Sequence, residues 1–394
     1  KKQRFWLKNK VFRPSYIQAG VVITDQGFYS ITNFIVGVLV ARACNKSEYG
    51  AFVVGLTVIR ILISFQNGLV SVPYTIHFPH CKKIEKMAYL GSIIVHQCII
   101  SLIVISGFIF ASHSFVGLGF KFSLVSTLYM LAFASSVLLV REFFRLIMLA
   151  ELRVWLNISL SLVINAATIF AIFLAYKNSR LDSGTAFLII ALCSGMPTVV
   201  IAIIYVRKSK IILANIIPDF KNNFYLGKWI VGRNFADMGS VSIFPVALVS
   251  IHSAADAGIY GACFHLSSLI NPIFMGLGSF LRPKLSHMVA NKPNEVNRAL
   301  VKLLGFLLIV VSFAFFAIYF FGNCMMVKLY GQDYDNYHNV LLFCMVAIGF
   351  SALANPISIA LDAKKKKKST FLGRFISAGI SLTIGLFLVW EYNA

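Results

Sequence analysis

Long apolar runs, one after another, are the feature that most limits how this chain of 394 residues can fold. A helix needs roughly 20 consecutive apolar residues to cross the hydrocarbon core of a bilayer. A water-soluble fold is excluded, because 58% of the residues are apolar and only 13% are charged, against about 25% charged in an ordinary soluble domain. The runs predict an all-helical integral membrane protein with eleven visible spans, at about residues 15–42, 49–76, 88–112, 122–147, 154–176, 184–206, 229–252, 257–281, 301–323, 338–361 and 369–390.

The cations lie mostly on one side of this predicted topology. The chain has 36 Lys and Arg against 14 Asp and Glu, and 29 of the 36 fall in alternate connections or at the adjoining helix ends. Because connections rich in Lys and Arg stay in the cytoplasm, we expect a cytoplasmic amino terminus and a cytoplasmic run at Lys364–Lys368. Topology and contact with anionic lipids thus account for the net charge of +22, and nucleic-acid binding is not expected.

A short pattern of residues occurs twice along the chain. Its first copy recurs 211 or 212 residues later, with Asp25, Gly27 and Tyr49–Phe52 matched by Asp237, Gly239 and Tyr260–Phe264. Six predicted spans separate the copies, and an even number preserves direction, so the halves are predicted to be parallel repeats about an axis along the membrane normal. We therefore expect two six-helix lobes, at 1–206 and 229–394, with a sixth span of the second lobe missing from the eleven that are visible.

The interval 207–228 is predicted to link the two lobes. It places Ile212, Ile216, Phe220 and Phe224 at a spacing of four residues, with lysines nearby. This pattern is typical of an amphipathic helix lying on the inner membrane surface. Pro218 is the point at which such a helix would break.

Four segments resemble the bacterial flippases that carry O-antigen and other polysaccharide repeat units on a lipid carrier, a family of the multidrug/oligosaccharidyl-lipid/polysaccharide exporter superfamily. The segments are Asp25–Gly27 with Ser47–Phe52, Arg141–Arg145, Ala257–Tyr260 with Arg282–Ser286, and Leu329–Tyr334. The resemblance implies two six-helix lobes around a central cavity that opens alternately to either side of the bacterial inner membrane. It also implies an undecaprenyl-diphosphate-linked glycan as cargo, and a glycan polymerase and glycosyltransferases as partners.

Arginines inside or beside the spans are the candidates for binding an anionic diphosphate, because the guanidinium stays charged and donates bidentately. Arg60 lies about 16 Å past Tyr49 along a helix axis, near the midplane of its span. A cation there costs about 2.5 to 3.5 kcal/mol, so it needs a cavity or a partner such as Asp25. Both readings stay open for Arg60. The other candidates lie near the inner ends of spans: Arg141, Arg145, Arg233 and Arg374.

Asp25 and Asp237 occupy matching places in the first and seventh predicted spans. A partly desolvated carboxylate has a raised pKa and can bind a coupling ion, here H+ or Na+. The competing interpretation pairs each aspartate with a nearby cation, and the spacing of four residues between Arg233 and Asp237 favours it for Asp237. The membrane potential is the alternative driving force, and no other cofactor is expected.

Two other functions compete with that of a flippase. A multidrug or cation exporter of the same superfamily would need a cavity dominated by carboxylates, and Asp25 and Asp237 keep that reading open. A membrane glycan polymerase or glycosyltransferase would need an outer loop rich in acids or His. The outer connections are short and hold few acids, and P-loop, GxSxG, HExxH and CxxC patterns are absent from the sequence. We therefore expect a transporter and not an enzyme.

Overall fold

In the computed structural model of the chain, the described residues are 2–78, 83–117, 122–241, 243–271, 274, 285, 288–289, 293–364 and 367–391. Within these ranges, the backbone alone is described for several residues, including 2–19, Arg233 and Asp237. Fourteen α-helices are named here: α1 (Lys2–Ala43), α2 (Lys46–Gln66), α3 (Val72–His77), α4 (Lys83–Gly117), α5 (Phe122–Ala150), α6 (Val154–Lys177), α7 (Ser183–Lys208), α8 (Leu213–Val241), α9 (Ile243–Ile251), α10 (Ala254–Ser267), α11 (Pro293–Tyr330), α12 (His338–Ala363), α13 (Lys367–Ile380) and α14 (Leu386–Glu391).

Short π and 3-10 segments connect some of these helices. The π segments are Asn67–Ser71, between α2 and α3, and Ser381–Gly385, between α13 and α14. The 3-10 segments are Ser268–Ile270 and Gln332–Tyr334. No strand occurs in the part of the chain that is described. The predicted all-helical class is therefore confirmed for that part.

Six segments of the described residues are long and apolar enough to cross a membrane. They are Lys46–His77, Glu85–Ser114, Val154–Lys177, Ser183–Lys208, Glu295–Tyr330 and His338–Leu361. Each coincides with a predicted span, and together they make this a multi-pass membrane protein. The other five predicted spans fall on α1, on α5, on α8 with α9, on α10, and on α13 with α14. Their crossing of the membrane, and the cytoplasmic amino terminus, stay predictions.

Polar caps fix where two of the spanning helices begin. The side chain of Asn45 accepts a hydrogen bond from the backbone N–H of Glu48 at 2.9 Å and so caps α2. At the start of α7, Asp182 and Thr185 form a capping box, with bonds of 2.7 and 2.8 Å between side chain and backbone. Such caps satisfy N–H groups that have no partner inside the first helical turn.

The chain divides into two compact units. The first unit comprises Lys1–Arg42 and Ile259–Arg374, and the second comprises Ala43–Gly258 and Phe375–Asn393. In the first unit, α11 packs along α12, with Leu307, Ile348 and Ala352 in a buried cluster. In the second unit, α5 packs against both α4 and α7, and a cluster that includes Tyr74 and Phe143 fills the space among them. The predicted lobes at 1–206 and 229–394 stay a prediction.

The expected break of the linker helix at Pro218 is not observed. Helix α8 runs without interruption from Leu213 to Val241 and so contains Pro218. Contacts with α4 hold the start of α8: the N–H of Lys210, just before the helix, donates to the carbonyl of Met87 at 2.9 Å, and the ring of His96 hydrogen-bonds the carbonyl of Ile216 at 2.9 Å. Tertiary packing of this kind commonly outweighs the local helix propensity of one residue.

Candidate functional site

Two predicted arginines, Arg141 and Arg145, lie on one face near the carboxyl end of α5. The guanidinium of Arg145 donates two hydrogen bonds to the carboxylate of Glu142, with Nε to Oε2 at 2.7 Å and Nη2 to Oε1 at 2.6 Å. A bidentate pair of this kind combines charge attraction with fixed geometry. Part of the positive charge of Arg145 is therefore already neutralised within the helix.

The structure brings these two arginines to one small cavity in the second unit. Arg141 and Arg145 line it together with Asn157 and Ser161 of α6 and Thr198 of α7. Its volume is about 20 Å3, roughly what a single water molecule requires. In this conformation the cavity is too small for a diphosphate, so a substrate would have to bind at its mouth or after a rearrangement of α5, α6 and α7.

Further charges surround the same ends of α5, α6 and α7. Glu151 accepts hydrogen bonds from Arg153 at 2.9 Å and from the hydroxyl of Tyr205 at 3.0 Å. The ammonium of Lys208 lies 5.6 Å from the centre of the Tyr205 ring. We call this group the α5–α7 basic cluster; it contains Arg141, Glu142, Arg145, Glu151, Arg153, Tyr205 and Lys208. Four cations against two carboxylates leave the cluster with a net positive charge. Of its members, the sequence predicts only the two arginines on α5 as binding candidates.

Arg60 lies on α2, in the apolar segment Lys46–His77 of the second unit. Its residue surface is exposed, whereas Ile59 beside it is buried. Its guanidinium makes no hydrogen bond or ion pair with another described residue of the second unit. Arg60 thus presents a charge that its own unit leaves unneutralised, in contrast to Arg145. The ion pair with Asp25 stays the alternative prediction.

The remaining candidates lie on other helices. Asp25 is buried within α1, with 5% of its surface exposed. Arg374 is half-buried on α13. Arg233 and Asp237 lie on α8, and their side chains are outside the description, so their predicted pairing stays a prediction. Apart from Arg141 and Arg145, the candidates are distributed over four helices of the described chain.

The second unit contains a buried polar network that the sequence analysis does not predict. In the second unit, Gln97 on α4 donates hydrogen bonds of 3.1 Å to Gln66 and to Ser101. Gln66 in turn donates to the backbone carbonyl of Leu139 at 2.9 Å. Amide side chains inside apolar runs were the available signal, since such groups hydrogen-bond between helices within membranes. This network joins α2, α4 and α5 beside the buried cluster.

No family model and no curated protein matches the sequence. Solved structures do match. Lipid II flippase MurJ in an inward closed conformation has a TM-score of 0.69 at 17% identity, over 94% of this chain and 82% of its own. MATE in complex with MaL6 has a TM-score of 0.63 at 10% identity, over 95% and 88% of the two chains. The inward-facing form of a multidrug resistance MATE family transporter of the MOP superfamily has a TM-score of 0.61 at 12% identity, over 91% and 83%.

This chain has the fold of MurJ and MATE. The likeness covers nearly the whole chain and most of each neighbour, so the fold is shared as a whole and not through one helical segment. At such low identity the likeness defines the fold, and the function must be argued from the site.

Proposed function

We propose that this protein moves an undecaprenyl-diphosphate-linked oligosaccharide, such as an O-antigen repeat unit, across the bacterial inner membrane by alternating access. The observation that carries the proposal is the fold shared with a lipid II flippase at a TM-score of 0.69, slightly above the 0.61 and 0.63 for the two MATE structures. The multidrug and flippase neighbours together support a transporter of the MOP superfamily. The lipid-linked glycan as the cargo is the more specific assignment that we propose.

Charge supports an anionic cargo. The chain carries a net charge of +22, and the α5–α7 basic cluster and Arg60 place cations on helices of the second unit. A diphosphate entering a bilayer loses its hydration, and arginine replaces it with planar, permanently charged donors. The exposed guanidinium of Arg60 is the group we propose for the diphosphate during the crossing. The basic cluster, with Arg141 and Arg145, is proposed for its first contact at the cytoplasmic side.

Coupling is proposed for Asp25, because it is a buried carboxylate inside an apolar helix. Binding H+ or Na+ at this carboxylate would link the ion to the conformation of α1. Transport by Asp25→Asn is expected to lose its dependence on the H+ or Na+ gradient, measured in vesicles with each gradient imposed separately. Full dependence in the variant would assign coupling to another residue or to the membrane potential.

The direct test uses purified protein in sealed vesicles that contain a fluorescent undecaprenyl-diphosphate oligosaccharide. Glycan that reaches the outer leaflet is measured through its accessibility to a membrane-impermeant glycosidase. We expect transfer well above that of protein-free vesicles, and inhibition by an unlabelled lipid-linked glycan. Vesicles that accumulate an organic cation but do not transfer the lipid would contradict the proposal.

A multidrug or cation exporter is the second candidate function. The two MATE structures and the buried carboxylate of Asp25 favour it. Ethidium uptake into the same vesicles distinguishes it, because an exporter of cations should transport ethidium without any lipid-linked substrate. Genetic context gives independent evidence, since a flippase gene is expected beside genes for glycosyltransferases and a glycan polymerase.

A further inference from the structure

A polar cleft of about 400 Å3 lies between α4 and the first half of α8 in the second unit. Its volume falls in the range of roughly 300–1,000 Å3 that small-molecule sites occupy. The cleft is lined by His77, Glu85, Ala88, Tyr89, Ile212, Asn215, Asp219, Asn222 and Asn223. Among these described lining residues there is no Lys or Arg, although the chain as a whole is strongly basic.

The geometry of α8 explains why its polar residues meet there. Asn215, Asp219 and Asn222 are spaced by four and three residues, so they share one face of the helix. Two close approaches hold α8 in place. A Cβ at Gly91 would lie 2.3 Å from the carbonyl oxygen of Lys210, and one at Gly227 would lie 2.4 Å from that of Gly68. The cleft is therefore a preformed feature of the packing.

The hydrogen-bonding groups of the cleft define what it can bind. Asn223 is fully buried, and its Oδ1 accepts a bond of 2.6 Å from the hydroxyl of Tyr89. Its Nδ2, a donor, has no hydrogen-bond partner in the described chain. Asp219 supplies a carboxylate that only accepts. The Nδ2 of Asn223 is itself buried, so it is not a group that the cleft presents to a ligand. Glu85 supplies a second carboxylate, and the amides of Asn215 and Asn222 line the cleft as donors and acceptors.

Glu85 and Asp219 line the cleft without a described Lys or Arg, so an anion would be repelled. A simple cation would bind the carboxylates but would leave the amide donors of Asn215 and Asn222 without acceptors. A hydroxyl group donates and accepts at once, so a neutral molecule with several hydroxyls satisfies both the carboxylates and the amides. The ring of Tyr89 is stacked on Tyr74 with centroids 5.8 Å apart.

We propose that this cleft binds an uncharged sugar unit through the carboxylates of Glu85 and Asp219 and the amides of Asn215 and Asn222. The assignment does not rest on the proposed transport, because it follows from the lining of the cleft alone. If the protein also moves a lipid-linked glycan, the cleft is a second contact for the sugar portion, separate from the arginines proposed for the diphosphate.

The test measures equilibrium binding to the full chain in nanodiscs by saturation-transfer NMR. The probes are methyl glucoside, N-acetylglucosamine and rhamnose, with tetraethylammonium for comparison, and inorganic phosphate is tested as a competitor of the sugar signal because it has no carbon-bound protons. We expect at least one sugar to bind saturably below about 50 mM, within the weak range of small-molecule affinities, and neither ion to bind. Asn222→Asp replaces an exposed amide donor of the lining with an acceptor, so it should raise the sugar Kd at least tenfold.

The matched control is Asn45→Asp, the same substitution at an exposed helix cap where aspartate serves equally well. It should leave the sugar Kd unchanged. If Asn222→Asp does not fold, Asn215→Asp at the other lining amide replaces it, with the same expected direction. The proposal is wrong if no sugar binds, if the cleft variant leaves the sugar Kd unchanged, or if tetraethylammonium binds and the variant strengthens its binding.

Discussion

The arginines of this protein differ in how far carboxylates of the fold neutralise their positive charge. Arg145 gives two hydrogen bonds to Glu142, and Arg153 pairs with Glu151 at 2.9 Å. Arg60 makes no such bond within the second unit and lies exposed on an apolar helix. Holding an uncompensated cation at such a position costs about 2.5 to 3.5 kcal/mol on insertion scales, so a functional reason for it is the natural expectation.

Arg60→Gln is expected to reduce transfer of the lipid-linked glycan in vesicles at least tenfold, because the diphosphate loses a bidentate charged donor. Arg60→Lys should recover only part of it, since an ammonium lacks the planar pair of donors. Protein yield should not fall, because glutamine is less costly in the bilayer than arginine. Lys177→Gln, an exposed cation at the end of α6, is the matched control with unchanged transfer. Unchanged transfer by Arg60→Gln would remove Arg60 from the substrate path.

Cys44 lies in the connection between α1 and α2, and its environment makes it a poor nucleophile. Burial raises the pKa of the thiol to about 12, and the negative charges of Glu48 and Asp182 act in the same direction. An ordinary thiol of pKa 9.0 is about one-tenth thiolate at pH 8, whereas the thiolate of Cys44 is about a thousandfold scarcer.

Alkylation of Cys44 by iodoacetamide should therefore be slow at pH 8 and should still increase with pH at pH 10. The rate is measured in a variant whose other cysteines are serine. Ser47→Cys in a chain without Cys44 is the control, because residue 47 is exposed, and its rate should be half-maximal near pH 9 and level off above about pH 10. Glu48→Gln should accelerate the reaction of Cys44. Equal rates at Cys44 and at position 47 would show that the thiolate is not disfavoured.

At the level of helices, α2 and the start of α10 cross at two glycines of the second unit. A Cβ at Gly50 would lie 1.6 Å from the carbonyl oxygen of Ala254, and a Cβ at Gly258 would lie 2.4 Å from that of Lys46. Both distances are far inside van der Waals contact with backbone atoms, which cannot rotate away. Small residues at helix crossings are the usual means of close packing in membranes.

Gly50→Ala is expected to destabilise the protein by about 1 to 3 kcal/mol or more, because the two backbones must separate. The measurement is the apparent Tm of detergent-solubilised protein, followed by loss of the monodisperse peak on size-exclusion chromatography. Gly107→Ala on α4 is the control, since nothing lies within 4 Å of its added Cβ. Similar Tm values for the two variants would mean that the helices do not cross this closely.

Some features of the helices depend only on local sequence, and others depend on the elements that pack against them. The sequence predicted six of the spans where the structure has long apolar helices, because hydropathy over about 20 residues depends on no other part of the chain. It predicted a break at Pro218, and there the structure differs, because α8 is held by Lys210 and Ile216 against α4. The length of an apolar run can be read from consecutive residues. Whether a helix continues through a proline depends on what packs against that helix.

For the molecule as a whole, the distribution of Lys and Arg predicts its orientation in the membrane. Lys177 lies at the carboxyl end of α6 and Lys210 follows α7, so they are at opposite ends of one spanning helix. The positive-inside rule places Lys177 outside and Lys210 in the cytoplasm.

In intact cells, an impermeant maleimide should therefore label Lys177→Cys and not Lys210→Cys in a cysteine-free chain, because both positions are exposed and differ only in the side they face. Permeabilised cells should label both, which controls for reactivity. Labelling of Lys210→Cys alone in intact cells would show that the topology is the inverse of the predicted one. The basic cluster and the sugar cleft would then face outward.

The sequence by itself determined that the chain is helical, that it belongs in a bilayer and where most spans lie, because these follow from composition and from runs that are read locally. It also named Arg141 and Arg145 as candidates, and their spacing of four residues is about one helical turn. Tertiary structure alone decided that Arg60 is exposed and that α4 and α8 enclose a cleft. Those features depend on which side chains meet across helices distant in sequence, and hydropathy and charge counts carry no information about such pairings.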